Sequence, residues 1–209
     1  MWFMVHPIGE MKQGVLFVDQ SKTASTTMGE VFIKAIKQSH GHIGSYHQTS
    51  IFLRDNYSKY WNEYFKFSVV RNPFDRFISA FFFRVDQWHN DSIQIEREIT
   101  ENAIFDLMKD SKNRAIMPQR HYICDEKGNV IVDKLLRYET VKEETANLIF
   151  ELQIPFVDFR AFDEYRLQNT NGKRDWRKYY EQYPDLWHLV SEIYREDIRL
   201  YEQIGGVIG

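Results

Sequence analysis

Short apolar runs alternate along the chain with stretches whose apolar positions recur every three or four residues. Val15-Leu16-Phe17-Val18, closed by Asp19, is rich in β-branched and aromatic residues and predicts a buried strand over about 15–19. Val31, Phe32, Ala35 and Ile36 then recur at helical spacing, predicting a helix over about 25–38. The same reading gives a strand at His42–Tyr46, a helix at 48–59, a strand at 65–70 and a helix at 74–88. Pro73 suits the first turn of that last helix, where its missing N–H costs nothing. Ile93, Ile95, Ile99, Ile104 and Leu107 predict one or two polar helices within 92–113. Residues 118–133 read as a hairpin turning at Lys127-Gly128-Asn129. A strand at 134–138, a helix at 140–152, a long loop at 153–174 and helices at 175–182 and 184–203 complete the chain. The loop's length suggests function, such as a lid. Residues 1–14 read as a lead-in.

Strands alternating with helices predict an α/β fold: a central parallel sheet flanked by helices, with right-handed crossovers. Ligands bind such sheets at the C-terminal ends of the strands. No repeat, low-complexity segment or linker divides the 209 residues, so a single domain over 1–209 is expected.

Composition narrows the partners. A net charge of −3 does not supply a broad face for nucleic acid, so an anionic ligand requires locally concentrated cations. The one cysteine, Cys124, allows no intrachain disulfide and fits a reducing compartment. No run approaches the length of a membrane span. The first residues, Met1-Trp2-Phe3-Met4-Val5-His6-Pro7, lack the basic start of a signal peptide. A cytoplasmic protein is the expectation.

The chemistry gathers after the strand at 15–19. Gln20-Ser21-Lys22-Thr23-Ala24-Ser25-Thr26-Thr27 bridges strand and helix. Free N–H groups of a first helical turn, together with the macrodipole, favour an anion there. Lys22 adds a cation, and Ser21, Thr23, Ser25 and Thr26 add hydroxyl donors. An ordinary capped helix would also place Ser and Thr here, but a cap uses one hydroxyl and no lysine. No glycine lies between Gly14 and Gly29, so the loop is not a Walker A sequence. A second polar loop, Arg71-Asn72-Pro73-Phe74-Asp75-Arg76-Phe77-Ile78-Ser79, follows the strand Phe65–Val70.

These two loops in order resemble the nucleotide-binding pair of the sulfotransferases that use 3′-phosphoadenosine 5′-phosphosulfate (PAPS). The resemblance is nearest to the Golgi carbohydrate sulfotransferases, including the uronyl 2-O type, and their bacterial relatives. It continues through Arg137-Tyr138-Glu139, Tyr179-Tyr180 and Ile193-Tyr194-Arg195-Glu196-Asp197-Ile198. It implies a P-loop-like three-layer fold and transfer of a sulfuryl group from PAPS to a hydroxyl of a carbohydrate or glycan-like acceptor, without a metal. Lys22 and the backbone N–H groups of Thr23, Ala24, Ser25, Thr26 and Thr27 would hold the 5′-phosphosulfate. Arg71 and Ser79 would hold the 3′-phosphate, with Lys173 and Arg174 closing over the nucleotide.

A base must take the acceptor's proton, and histidine suits this near neutral pH. His47 is the first candidate, placed where a helix begins after the second strand, and His42 is the second. His40, His42 and His47 lie close in sequence but without an accompanying Cys or carboxylate, so a metal site is not expected. Arg84, Trp88, His89, Gln119, Arg120 and His121 are candidates for the acceptor cleft. An ATP-dependent kinase would need a glycine-rich loop and a magnesium-holding carboxylate. A non-catalytic nucleotide-binding relative is the remaining alternative. The sequence does not set the oligomeric state.

Overall fold

The computed structural model of the protein describes residues 1–44, 47–88, 114–169 and 175–208. The helices expected within 92–113, together with His89, Lys173 and Arg174, lie outside the described residues. The chain divides into two compact units, Met1–Val70 with Gln119–Arg174 and Arg71–Pro118 with Asp175–Gly209.

The first unit holds a five-stranded mixed sheet. Its strands are β1 (Trp2–Val5), β2 (Val15–Val18), β3 (His42–Gly44), β4 (Phe65–Val70) and β5 (Lys134–Arg137), in the order β3-β1-β2-β4-β5. β2, β4 and β5 run parallel, with Phe17 opposite Phe67 and Val69 opposite Leu136. β1 is antiparallel to both its neighbours, β2 and β3. The expected parallel sheet is therefore its β2-β4-β5 half, and the lead-in supplies an unforeseen inner strand. Met1–Val5 is too short a run to show a period, and only pairing with β2 and β3 makes it a strand.

Phe3, Val5, Val15, Phe17, Phe67, Val69 and Leu136 line one buried face. Met28, Val31, Phe32 and Ala35 of α1 (Ser25–Gln38) pack there, with residues of α6 (Val141–Leu152) and α7 (Arg160–Asn169). On the opposite face Met4, Leu16, Val18 and Ser68 are buried as well, as a sheet flanked by helices requires.

Several boundaries differ from the sequence reading. The helix expected at 48–59 is two helices, α2 (Ser50–Asn56) and α3 (Ser58–Glu63), broken at Tyr57 with φ −130° and ψ 39°. Thr49 caps α2, its hydroxyl accepting from the Phe52 N–H at 3.1 Å. The hairpin keeps its turn at Gly128 (φ 82°) and one bridge, Cys124 to Val130, but its first arm is a single helical turn, α5 (Arg120–Ile123). Asp125 explains the turn, since Oδ1 accepts from the backbone of Lys127 and Asn129. The loop at 153–174 contains α7. That helix buries Ala161 and Phe162 beside α1, too few apolar positions to give a visible period.

The second unit is helical: α4 (Pro73–Trp88), α8 (Trp176–Gln182), α9 (Pro184–Ile193) and α10 (Arg195–Gln203). The helix expected at 184–203 breaks at Tyr194, whose buried hydroxyl donates to the Ile116 carbonyl. Phe74 stacks on Trp187 at 3.9 Å between ring centroids, and the Tyr180 hydroxyl donates to the Phe74 carbonyl at 3.1 Å. Both contacts fix the start of α4. Among the described residues no helix is long and apolar enough to cross a membrane.

Candidate active site

The turn from β2 into α1 contains two left-handed residues, Lys22 (φ 67°) and Ala24 (φ 66°). Glycine is the usual occupant of such positions, because a Cβ costs about 1 to 2 kcal/mol there. A tight turn of this kind aims successive backbone N–H groups to one side, a conformation that suits an anion. Immediately after it, α1 opens with no side-chain cap on Ala24 and no acidic residue in its first turn. The positive end of the helix dipole is thus left for an outside anion.

The loop is braced from behind. The hydroxyls of Thr23 and Ser25 both donate to the Gln20 carbonyl, at 3.0 and 3.3 Å. Gln20 Nε2 donates to Ser68 Oγ at 3.0 Å, and Ser68 in turn donates to the Val18 carbonyl at 2.6 Å. These bonds fasten the end of β2 to β4. Two of the four hydroxyls expected to act as donors, those of Thr23 and Ser25, thus serve the loop's own shape, whereas Thr26 is exposed.

Asp19, the last residue before the loop, is completely buried. Its Oδ2 meets the Met1 ammonium and lies 2.5 Å from His47 Nδ1. The approach to Nδ1 pairs opposite charges when the ring is protonated, but its angle does not make a hydrogen bond. Asp19 Oδ1 is buried without a partner. The His47 ring also stands edge-on to Tyr122 of α5, 6.4 Å between centroids at 75°. It keeps 24% of its side chain exposed, enough to meet a ligand from one side.

In the second unit, Arg71 opens the chain that β4 delivers. Its Nε donates to Asp75 Oδ2 at 2.8 Å, one helical turn on. Asn72 caps α4, accepting from the Phe74 N–H at 3.0 Å. The pairing with Asp75, which a purely structural arginine would also make, orients the guanidinium fork. Ser79 is half-buried two turns along α4.

A model of the sulfotransferase family matches residues 8–202. The chain belongs to the sulfotransferase family. As a member it is an enzyme of sulfuryl transfer. Neither the curated proteins nor the solved structures yield a match.

In this sulfotransferase the two candidate bases are placed differently. His42 and Leu16 both stand opposite Met4, so His42 is level with the middle of β2 and two strands away. Its ring packs at 5.0 Å on Trp2 and at 6.0 Å on Tyr57. His47 lies past the end of β3, beside the residue that leads into the Lys22 loop. Of the acceptor candidates, Gln119 is buried, Arg120 donates to the Gly128 carbonyl and His121 is exposed. Arg84 and Trp88 lie on α4, and His89 is beyond the described residues. Asp19 and Tyr122 were not singled out by sequence. A carboxylate ending an otherwise apolar strand was the available signal for Asp19.

The left-handed geometry at position 24 predicts an order among variants. Ala24→Gly removes a strain of about 1 kcal/mol and frees the unfolded chain by about 0.4 to 1 kcal/mol. It should therefore unfold within a degree or two of the parent. Ala24→Val places a β-branched residue at positive φ and should cost more than about 1 kcal/mol, a fall of at least about 2 °C. Thermal unfolding of the two variants checks this. Equal stability would show that the strain is absent.

Proposed function

We propose that the protein transfers the sulfuryl group of PAPS to a hydroxyl of a carbohydrate or glycan-like acceptor. The observation that carries this reading is the loop opening α1, a turn left-handed at Lys22 and Ala24 without glycine, with His47 Nδ1 2.5 Å from Asp19 Oδ2 beside it. Lys22 and the backbone N–H groups of Thr23–Thr27 take the 5′-phosphosulfate. Arg71 and Ser79 take the 3′-phosphate, as their place in the family's motif order implies, with Lys173 and Arg174 as further candidates for the nucleotide.

Transfer is an in-line displacement. The acceptor oxygen forms a bond to sulfur as the bond from sulfur to the 5′-phosphate oxygen breaks. His47 takes the acceptor's proton, and 3′-phosphoadenosine 5′-phosphate leaves with the charge that Lys22 meets. Such reactions depend on positioning and charge stabilisation, both of which the loop's fixed donors provide.

Thermal shift with 3′-phosphoadenosine 5′-phosphate, ATP, and ATP with magnesium tests the donor. The bisphosphate without metal should give the largest shift. Arg71→Ala should reduce that shift to the level of adenosine 5′-phosphate, a loss of about tenfold or more in affinity for one charge-assisted phosphate contact. A larger shift with ATP and magnesium would instead support a kinase. Bisphosphate binding with no turnover of labelled PAPS on any hydroxyl acceptor would support a non-catalytic relative.

A further inference from the structure

We infer that Asp19 is the positioning residue of the base, holding His47 with its Nδ1 edge against the carboxylate and its Nε2 edge toward the acceptor. The inference rests on the reading of His47 as that base.

Three observations carry it. Asp19 is completely buried, where an ionised carboxylate is costly unless a cation or donor meets it. Its Oδ2 approaches two basic groups, the Met1 ammonium and His47 Nδ1, the latter at 2.5 Å. The ring stands edge-on to Tyr122, itself buried to 1% exposure, which bounds it on a second side. A carboxylate beside Nδ1 selects the tautomer with the proton on Nδ1. That leaves a lone pair on Nε2, the nitrogen able to accept a proton from substrate. When Nε2 takes that proton the ring becomes a cation, and the neighbouring carboxylate stabilises it. Catalytic contacts of this type commonly align only when substrate is bound, which accommodates the present angle at Nδ1. Asp19 is also the residue before Gln20, whose carbonyl anchors Thr23 and Ser25. The carboxylate that faces the base and the anion concavity are therefore built from the same turn of chain, and the spacing between those two is set by backbone.

The test combines Asp19→Asn, His47→Ala and the double variant. Asp19→Asn keeps shape and removes the charge and the tautomer preference. It should lower kcat by about 10²-fold or more while leaving KM for PAPS and the thermal shift with 3′-phosphoadenosine 5′-phosphate within about twofold. The double variant should be no slower than His47→Ala alone, since the carboxylate acts only through the ring. Nitrogen NMR of the unsubstituted protein should show His47 carrying its proton on Nδ1. Losses that multiply in the double variant, or a proton on Nε2, would overturn the inference and leave His47 as base untouched. Should Asp19→Asn fail to fold, the tautomer measurement decides alone. Full turnover in His47→Ala would instead overturn the base assignment, and with it the role given to Asp19.

Discussion

Lys22→Ala should lower kcat by about 10²- to 10³-fold on the proposed mechanism, the loss seen when one preorganised donor to developing charge is removed. The charge that develops during sulfuryl transfer resides on the departing phosphate. In the proposed site a neutral side chain at this position would leave that charge to backbone N–H groups. Alanine is the appropriate replacement because residue 22 is left-handed at φ 67°. Alanine retains the Cβ and the same backbone restriction, so the concavity persists and the measured loss belongs to the ammonium. Glycine would also relax the loop and confound the two effects. Affinity for 3′-phosphoadenosine 5′-phosphate should fall less than kcat if the ammonium acts chiefly on charge that develops in the transition state. Steady-state rates with labelled PAPS and isothermal titration with the bisphosphate separate the two. Turnover within threefold of the parent would remove Lys22 from the chemistry.

His47→Ala should cost about 10² to 10⁴ in kcat, the range of a positioned general base, with nucleotide binding almost unchanged. The ring lies outside the loop and makes none of its hydrogen bonds. His42→Ala should keep turnover within a fewfold and lose stability instead, because that ring packs on Trp2 and Tyr57. Paired rate and melting measurements on the two variants discriminate between them. A catalytic loss in His42→Ala with an active His47→Ala would reverse the assignment.

The parallel half of the sheet and α1 were legible in sequence because each carries enough apolar residues to fix its period. Val15–Val18 and Phe65–Val70 are buried runs, and α1 repeats Val31, Phe32, Ala35 and Ile36. β1 was not legible, because four apolar residues at a chain start have no period, and their pairing with Val15–Phe17 is a long-range fact. Breaks at Tyr57 and Tyr194 carry no glycine or proline at the break itself, so nothing local announced them. At the candidate site, the order of loop residues pointed to an anion concavity. The sequence could not indicate that Lys22 and Ala24 bend left-handed, or that Thr23 and Ser25 turn their hydroxyls onto Gln20. Nor could it pair Asp19 with His47, which are 28 positions apart and meet only through the stacking of β3 on β1 and β1 on β2.

β3 hydrogen-bonds to β1 alone, and β1 is made of residues 2 to 5. Losing residues 2 to 5 would therefore unmoor the edge strand that precedes position 47 and, with it, the approach of that ring to the carboxylate at the end of β2.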